Sequence, residues 1–210
     1  PSSPTADNRV TVSVTVDNLL VSGTVKLYYK VDAGSFTSLT MTAVSNVYSA
    51  EIPAQAKDAV VAYYVEAKNS ESLVSVLPLG APTTTDSYTV GASAIVMNEI
   101  QSRGVAGDPD WIEVYNTSGS AIDISGYKVY DSGGNGGTKP KMLFPNGTTI
   151  PAHGYVVIVV DDAATANPAG SNFGLSSSGE QVWLANADGA VIDTVTFGVT
   201  VDATQSYGRT

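Results

Sequence analysis

The chain has 210 residues, 43% of them hydrophobic, enough for two sandwiches of about 100 residues with separate cores. Ten Lys and Arg stand against twenty Asp and Glu, so the net charge of -10 repels nucleic acid, and no basic cluster offsets it. The absence of cysteine excludes disulfides, a thiol nucleophile and Cys-ligated zinc, and no apolar run approaches the roughly 20 residues that span a bilayer.

Only 14% of residues are charged, while Gly, Thr, Ser and Val are abundant, a mixture that favours short strands and turns over helices. The opening, Pro1-Ser2-Ser3-Pro4-Thr5, reads as the loose start of a fragment left after an upstream segment, and export is expected. Residues 10–16 alternate Val-Thr-Val-Ser-Val-Thr-Val, which puts four valines on one face and the hydroxyls on the other. Val25, Leu27, Tyr29 and Val31 alternate with Lys26, Tyr28 and Lys30 in the same way. Further strands are predicted at 36–41, 47–52, 59–67 and 86–90, with turns at 32–34 and 45–46. About seven short strands in the first 90 residues describe a sandwich. Val25-Lys26-Leu27-Tyr28-Tyr29, Tyr48-Ser49-Ala50-Glu51-Ile52-Pro53 and Val61-Ala62-Tyr63-Tyr64-Val65-Glu66-Ala67 resemble the immunoglobulin-like or fibronectin type III-like modules of bacterial extracellular proteins.

Gly91-Ala92-Ser93 separates a domain at 1–91 from one at 94–210. In the second, strands are predicted at 94–100, 111–116, 126–131, 155–160, 181–184 and 191–197. Turns are marked by Asp108-Pro109-Asp110, 132–137, Asn146-Gly147 and Asp188-Gly189. Helix is limited to one turn at 161–166, ahead of Asn167-Pro168. The expected fold is all-β, two immunoglobulin-like β-sandwich domains in tandem.

Several pieces of the second half, in order and at compatible spacing, resemble the lamin tail domain. They include Ile95-Val96-Met97-Asn98-Glu99-Ile100, Asp110-Trp111-Ile112-Glu113-Val114-Tyr115-Asn116 and Ile122-Asp123-Ile124-Ser125-Gly126-Tyr127. Phe144-Pro145-Asn146-Gly147-Thr148, Ile150-Pro151-Ala152-His153-Gly154-Tyr155, Phe173-Gly174-Leu175-Ser176 and Ser206-Tyr207-Gly208-Arg209 continue the match across 94–210. The resemblance implies an immunoglobulin-like sandwich. The rod and nucleic-acid setting of nuclear lamins does not fit, because no heptad repeat precedes the domain and the chain is acidic. Bacterial relatives occur as accessory modules of exported proteins, so the resemblance implies a secreted or cell-surface bacterial protein. It would be a non-catalytic interaction or spacer module, accessory to a surface enzyme, that binds protein or carbohydrate and holds no cofactor.

Catalysis has few groups to draw on. The one histidine, His153, falls in a turn before a strand and is read as a turn residue rather than a general base. Glu99 and Glu113 are expected on the outward face of neighbouring strands, where two carboxylates can serve a glycoside hydrolase; this is the alternative function. The preferred reading is a structural polar cluster of Asn98, Glu99, Glu113 and Arg209, in which Arg209, or Arg103, bridges the glutamates. Asn98, placed with Val96 and Ile100 on the apolar face, is expected to anchor a neighbouring loop. Calcium is a weaker option, because Asp108, Asp110, Asp161, Asp162 and Asp188 sit where turns use Asp. Trp111 and Trp183 are predicted to point outward and, with Tyr130, form the candidate ligand-binding surface. Lys139-Pro140-Lys141 is read as a solvated loop pair, and the sequons at Asn116 and Asn146 as turns.

Overall fold

A computed structural model describes residues 4–16, 23–102, 109–139, 141–160, 173–200, 202 and 204–209. The expected helical turn at 161–166, together with Arg103, Asp108, Pro140, Asp161 and Asp162, lies outside them. The chain divides into two compact units, Pro1–Ala92 and Ser93–Thr210. Every regular element is a strand among the described residues.

The first unit contains β1 (Val10–Thr15), β2 (Thr24–Val31), β3 (Thr37–Thr40), β4 (Thr42–Val44), β5 (Val47–Ile52), β6 (Val60–Lys68), β7 (Val74–Leu77) and β8 (Asp86–Thr89). They form a sheet ordered β1-β5-β4 and another ordered β3-β2-β6-β7, with β8 also paired to β6. In β1 the valines are half-buried and the hydroxyl residues exposed, as the period of two requires. Val25 and Leu27 of β2 and Val61 and Val65 of β6 are buried, and Ile52 of β5 closes the core. On the opposite face Tyr28 and Tyr64 are register partners whose rings stack 4.8 Å apart at 4°. Burial and the nearby Glu66 push both phenols above their ordinary range. The pattern missed β4 and β7, which lie almost wholly at the surface and show no buried alternation.

The second unit contains β9 (Ile95–Gln101), β10 (Trp111–Asn116), β11 (Ile122–Asp123), β12 (Lys128–Asp131), β13 (Met142–Leu143), β14 (Thr149–Ile150), β15 (Tyr155–Val159), β16 (Glu180–Ala185), β17 (Val191–Phe197) and β18 (Tyr207–Gly208). One sheet runs β15-β10-β9-β18 and the other β13-β12-β16-β17, with β11 and β14 as a separate pair. Ile112 and Val114 alternate with half-buried residues along β10, and Ile95, Met97 and Ile100 lie at 0 to 1% exposure on β9. Val129, Val182, Leu184 and Phe197 supply the buried face of the second sheet, and Phe173 is fully enclosed. This is the layering of a β-sandwich-type core.

Two bulges set the side-chain directions near the site. In β9 the register passes from Glu99 opposite Glu113 to Met97 opposite Val114, so Asn98 is an extra residue. The bulge inverts the expected alternation: Ile95 and Met97 face the core, and Val96 and Asn98 are only half-buried. Asn98 is therefore not on the apolar face, which corrects the sequence reading. In β17 the register passes from Asp193 opposite Leu184 to Val191 opposite Ala185, which leaves Ile192 as the extra residue. Asp193 keeps the inward parity of Val195 and Phe197, whereas Thr194 and Thr196 point outward.

Each unit has its own sheets and buried residues, so fragments 1–92 and 93–210 are expected to unfold cooperatively when expressed separately. Loss of a cooperative transition in both, measured by circular dichroism during urea titration, would contradict independent cores.

Candidate functional site

The glutamate pair exists in register but not in the expected company. Glu99 and Glu113 are opposite residues on β9 and β10, where like charges repel. Asn98 relieves Glu113 by donating from Nδ2 to Oε1 at 2.7 Å, and the Ser206 hydroxyl donates to Glu99. The bulge makes the first contact, since it turns the Asn98 amide toward the carboxylates.

Arg209 does not bridge either glutamate. Its backbone N–H donates to Asn98 O at 2.8 Å, but its guanidinium turns to the other sheet and meets Asp193 Oδ2 at 2.6 Å. Asp193 is the partner that the sequence reading missed. Its Oδ2 also accepts the Met97 N–H at 2.8 Å, and Arg209 Nε donates to Met97 O at 3.3 Å. The Asp193 side chain is only 12% exposed, so an unpaired carboxylate there would carry a large desolvation cost. A signal was present: Asp193 interrupts the inward series of Val195 and Phe197, where an acid needs a partner from a neighbouring strand.

The aromatic candidates separate. Tyr130 and Trp183 are opposite residues of β12 and β16 on the outward face, stacked at 6.1 Å and 8°. Lys141 Nζ sits 4.0 Å from the Tyr130 ring centroid. Tyr130 is only 3% exposed, which corrects the expectation that it presents an open ring. The glycine-rich loop after β12 covers it: a Cβ on Gly134 would fall 2.7 Å from Tyr130 Cβ, so only glycine allows this approach. Lys139 closes the loop with an ion pair to the buried Asp131 at 3.2 Å. Lys139 and Lys141 are both exposed, as a solvated loop pair would be, and also engage Asp131 and Tyr130. Trp183 remains half-buried, with Thr194 as its opposite neighbour on β17. Trp111 lies on the other sheet, half-buried between Gln101 and Val159. The structure therefore brings Tyr130 and Trp183 together and leaves Trp111 apart.

At the end of β16, Glu180 accepts the Ser176 N–H. Its carboxyl is raised above the usual range by burial, with the negative Asp131 and Asp110 adding to the shift. His153 is exposed in a left-handed turn with φ 52°, as a turn residue would be. Asn116 is fully buried: Nδ2 donates to the carbonyls of Ser120, Ile150 and Pro151, and Oδ1 accepts from Ser118. Its amide anchors three loops and is closed to modification. Asn146 precedes Gly147 at φ 83° in a tight turn. Among the described residues no group of three or more His, Asp or Glu is arranged to hold a metal ion. No described helix is long and apolar enough to cross a membrane. Neither Glu99 nor Glu113 lines any of three clefts of about 440, 460 and 360 Å³ formed by described residues.

Beyond its all-β layering, the second unit carries the sequence features of a defined family. The family model of the Lamin Tail Domain matches residues 89–198, just over half the chain, and the chain belongs to that family. The matched stretch stops before β18, so the strand bearing Tyr207 and the following Arg209 lies beyond it. Among solved structures, a DUF4876 family protein from Bacteroides thetaiotaomicron is similar at 12% identity and a TM-score of 0.25. That alignment covers 96% of this chain and 64% of the other, so the chain spans less than two thirds of that protein. No curated protein matches the chain.

The Asp193–Arg209 pair is partly screened, with side-chain exposures of 12% and 44%. A double-mutant cycle of Arg209→Ala with Asp193→Asn is expected to give a coupling of about 0.5 to 1 kcal/mol. The cycles of Arg209→Ala with Glu99→Gln or Glu113→Gln should give none. Urea denaturation measures all three, and the reverse ranking would contradict the assignment.

Proposed function

We propose that the chain is a non-catalytic binding module of an exported bacterial protein, built as two immunoglobulin-like sandwiches over 1–91 and 94–210. It holds a carbohydrate chain on the outward face of the β13-β12-β16-β17 sheet. The observation that carries this reading is the half-buried Trp183 ring stacked in parallel on Tyr130. Tyr130 is itself pinned by Lys141 and the glycine-rich loop. A flat indole fixed before the ligand arrives loses little entropy on binding and offers an apolar plane to the C–H face of a sugar ring. The family resemblance supports the exported, accessory setting.

The hydrolase alternative is disfavoured by the surroundings of its two acids. Glu113 and Glu99 are already hydrogen-bonded to Asn98 and Ser206, and neither lines any of the three clefts described above among the described residues. A protein partner is the second reading. It is favoured by the exposed Tyr155 and Val157 of edge strand β15, at 62% and 44% exposure.

Affinity electrophoresis against a panel of neutral and acidic polysaccharides tests the proposal. Trp183→Ala is expected to weaken retention by about tenfold or more, roughly the loss of one good stacking contact. Glu99→Gln and Glu113→Gln should leave it unchanged, and glycosidic substrates should remain intact. Retention that survives Trp183→Ala would overturn the assigned face. Turnover abolished by either glutamate substitution would overturn the non-catalytic reading.

A further inference from the structure

Beside Trp183 the surface dips into a cleft of about 360 Å³ at the seam where β17 of one sheet meets β9 and β18 of the other. The volume falls within the roughly 300–1,000 Å³ typical of small-molecule sites. Val195 contributes to an apolar floor, while Thr194, Thr196, Asn98, Tyr207 and Arg209 supply polar groups around it. Both threonines are exposed and point to the same face as Trp183, because Trp183 and Thr194 are opposite residues and Thr196 follows two positions later. The cleft is thus one side chain removed from the indole.

Its walls are fixed. Tyr207 packs against Phe197 at 5.5 Å and donates its hydroxyl to Val199 O at 2.8 Å. Arg209 is held by Asp193 and Met97 O through Nη2 and Nε, and its guanidinium fork retains further N–H donors. A Cβ on Gly208, which also lines the cleft, would meet nothing within 4 Å, so the missing side chain leaves that wall open.

We infer that this seam cleft is a second subsite for a neutral glycan, taking the sugar that follows the one stacked on Trp183. The inference rests on the proposed carbohydrate-binding reading and specifies its ligand class. Hydroxyl groups acting as both donor and acceptor suit a rim of threonine hydroxyls, an amide and a guanidinium. Neutrality follows from electrostatics: Asp193 already matches the Arg209 charge at 2.6 Å, and the chain carries -10 overall. A uronic-acid polymer would be repelled without finding an uncompensated cation.

The test compares glucose, xylose and mannose with cellobiose, xylobiose and mannobiose by isothermal titration, using the full chain. At least one disaccharide is expected to bind the wild type about tenfold tighter than its monosaccharide, the effect of one additional subsite. Thr196→Trp, which fills the cleft from an exposed position, should remove that gain and leave monosaccharide affinity intact. The double variant Thr194→Val, Thr196→Val should reduce the gain without adding bulk, with the thermal transition of each variant checking the fold. A length gain that persists in both variants while Trp183→Ala abolishes binding would overturn the subsite and leave the Trp183 face standing. Absence of binding to every neutral glycan, or tighter binding of polygalacturonate, would overturn both.

Discussion

Asp193 joins the two sheets of the second unit at an edge where no backbone ladder connects them. A bulge at Ile192 keeps this acid on the inward side of β17, where water is scarce. The Met97 N–H and the Arg209 guanidinium satisfy one of its oxygens, and both groups belong to the opposite sheet or its continuation. Removing either donor would leave a buried charge short of partners, a cost of several kcal/mol in a dry site and less here because Arg209 is partly open to water. The tie has a geometric consequence. With the guanidinium drawn to Asp193, Arg209 cannot neutralise Glu99 and Glu113. The bulged Asn98 and the loop residue Ser206 serve those acids instead. This carboxylate therefore ties the seam and holds the Arg209 guanidinium at the cleft beside Trp183, while backbone pairing with β9 places β18.

Periodicity revealed most of the long strands because their alternation is a direct consequence of one buried face. β1, β2, β5, β6, β10, β16 and β17 all lie within or beside the predicted segments. The strands that escaped are short or exposed: β11, β13, β14 and β18 have two residues each, too few to display a period, and β4 and β7 bury almost nothing. The polar cluster was misread for a different reason. A bulge changes side-chain parity without an unambiguous mark in the composition, so strand alternation puts Asn98 inside and points Arg209 to Glu99 and Glu113 rather than to Asp193. Tyr130 was read as open because its parity is outward, as it is. What covers it is the Gly133–Gly134 segment, whose close approach is a tertiary event that strand periodicity does not encode.

The candidate site combines two kinds of preorganisation. The Trp183–Tyr130–Lys141 stack orients an apolar plane, and the seam cleft next to it gathers hydroxyl, amide and guanidinium groups with little net charge of its own. Such a surface matches the alternating apolar faces and hydroxyl edges of a sugar chain. Glu99 and Glu113 sit on the β15-β10-β9-β18 sheet, one strand in from its edges, hydrogen-bonded by Ser206 and Asn98. The cleft adjoins these acids through Asn98, which donates to Glu113, and Gly208, which is opposite Glu99, so an anionic ligand would be disfavoured there.

The most direct measurement is chemical-shift mapping of the full chain during titration with the neutral oligosaccharide that binds best. The Trp183 indole N–H and the backbone amides of Thr194 and Thr196 are expected to shift together and saturate at one ligand concentration, while the amides of Tyr155 and Val157 stay in place. Perturbations centred on Glu99 and Glu113, or on Tyr28 and Tyr64 of the first unit, with Trp183 unmoved, would contradict this expectation.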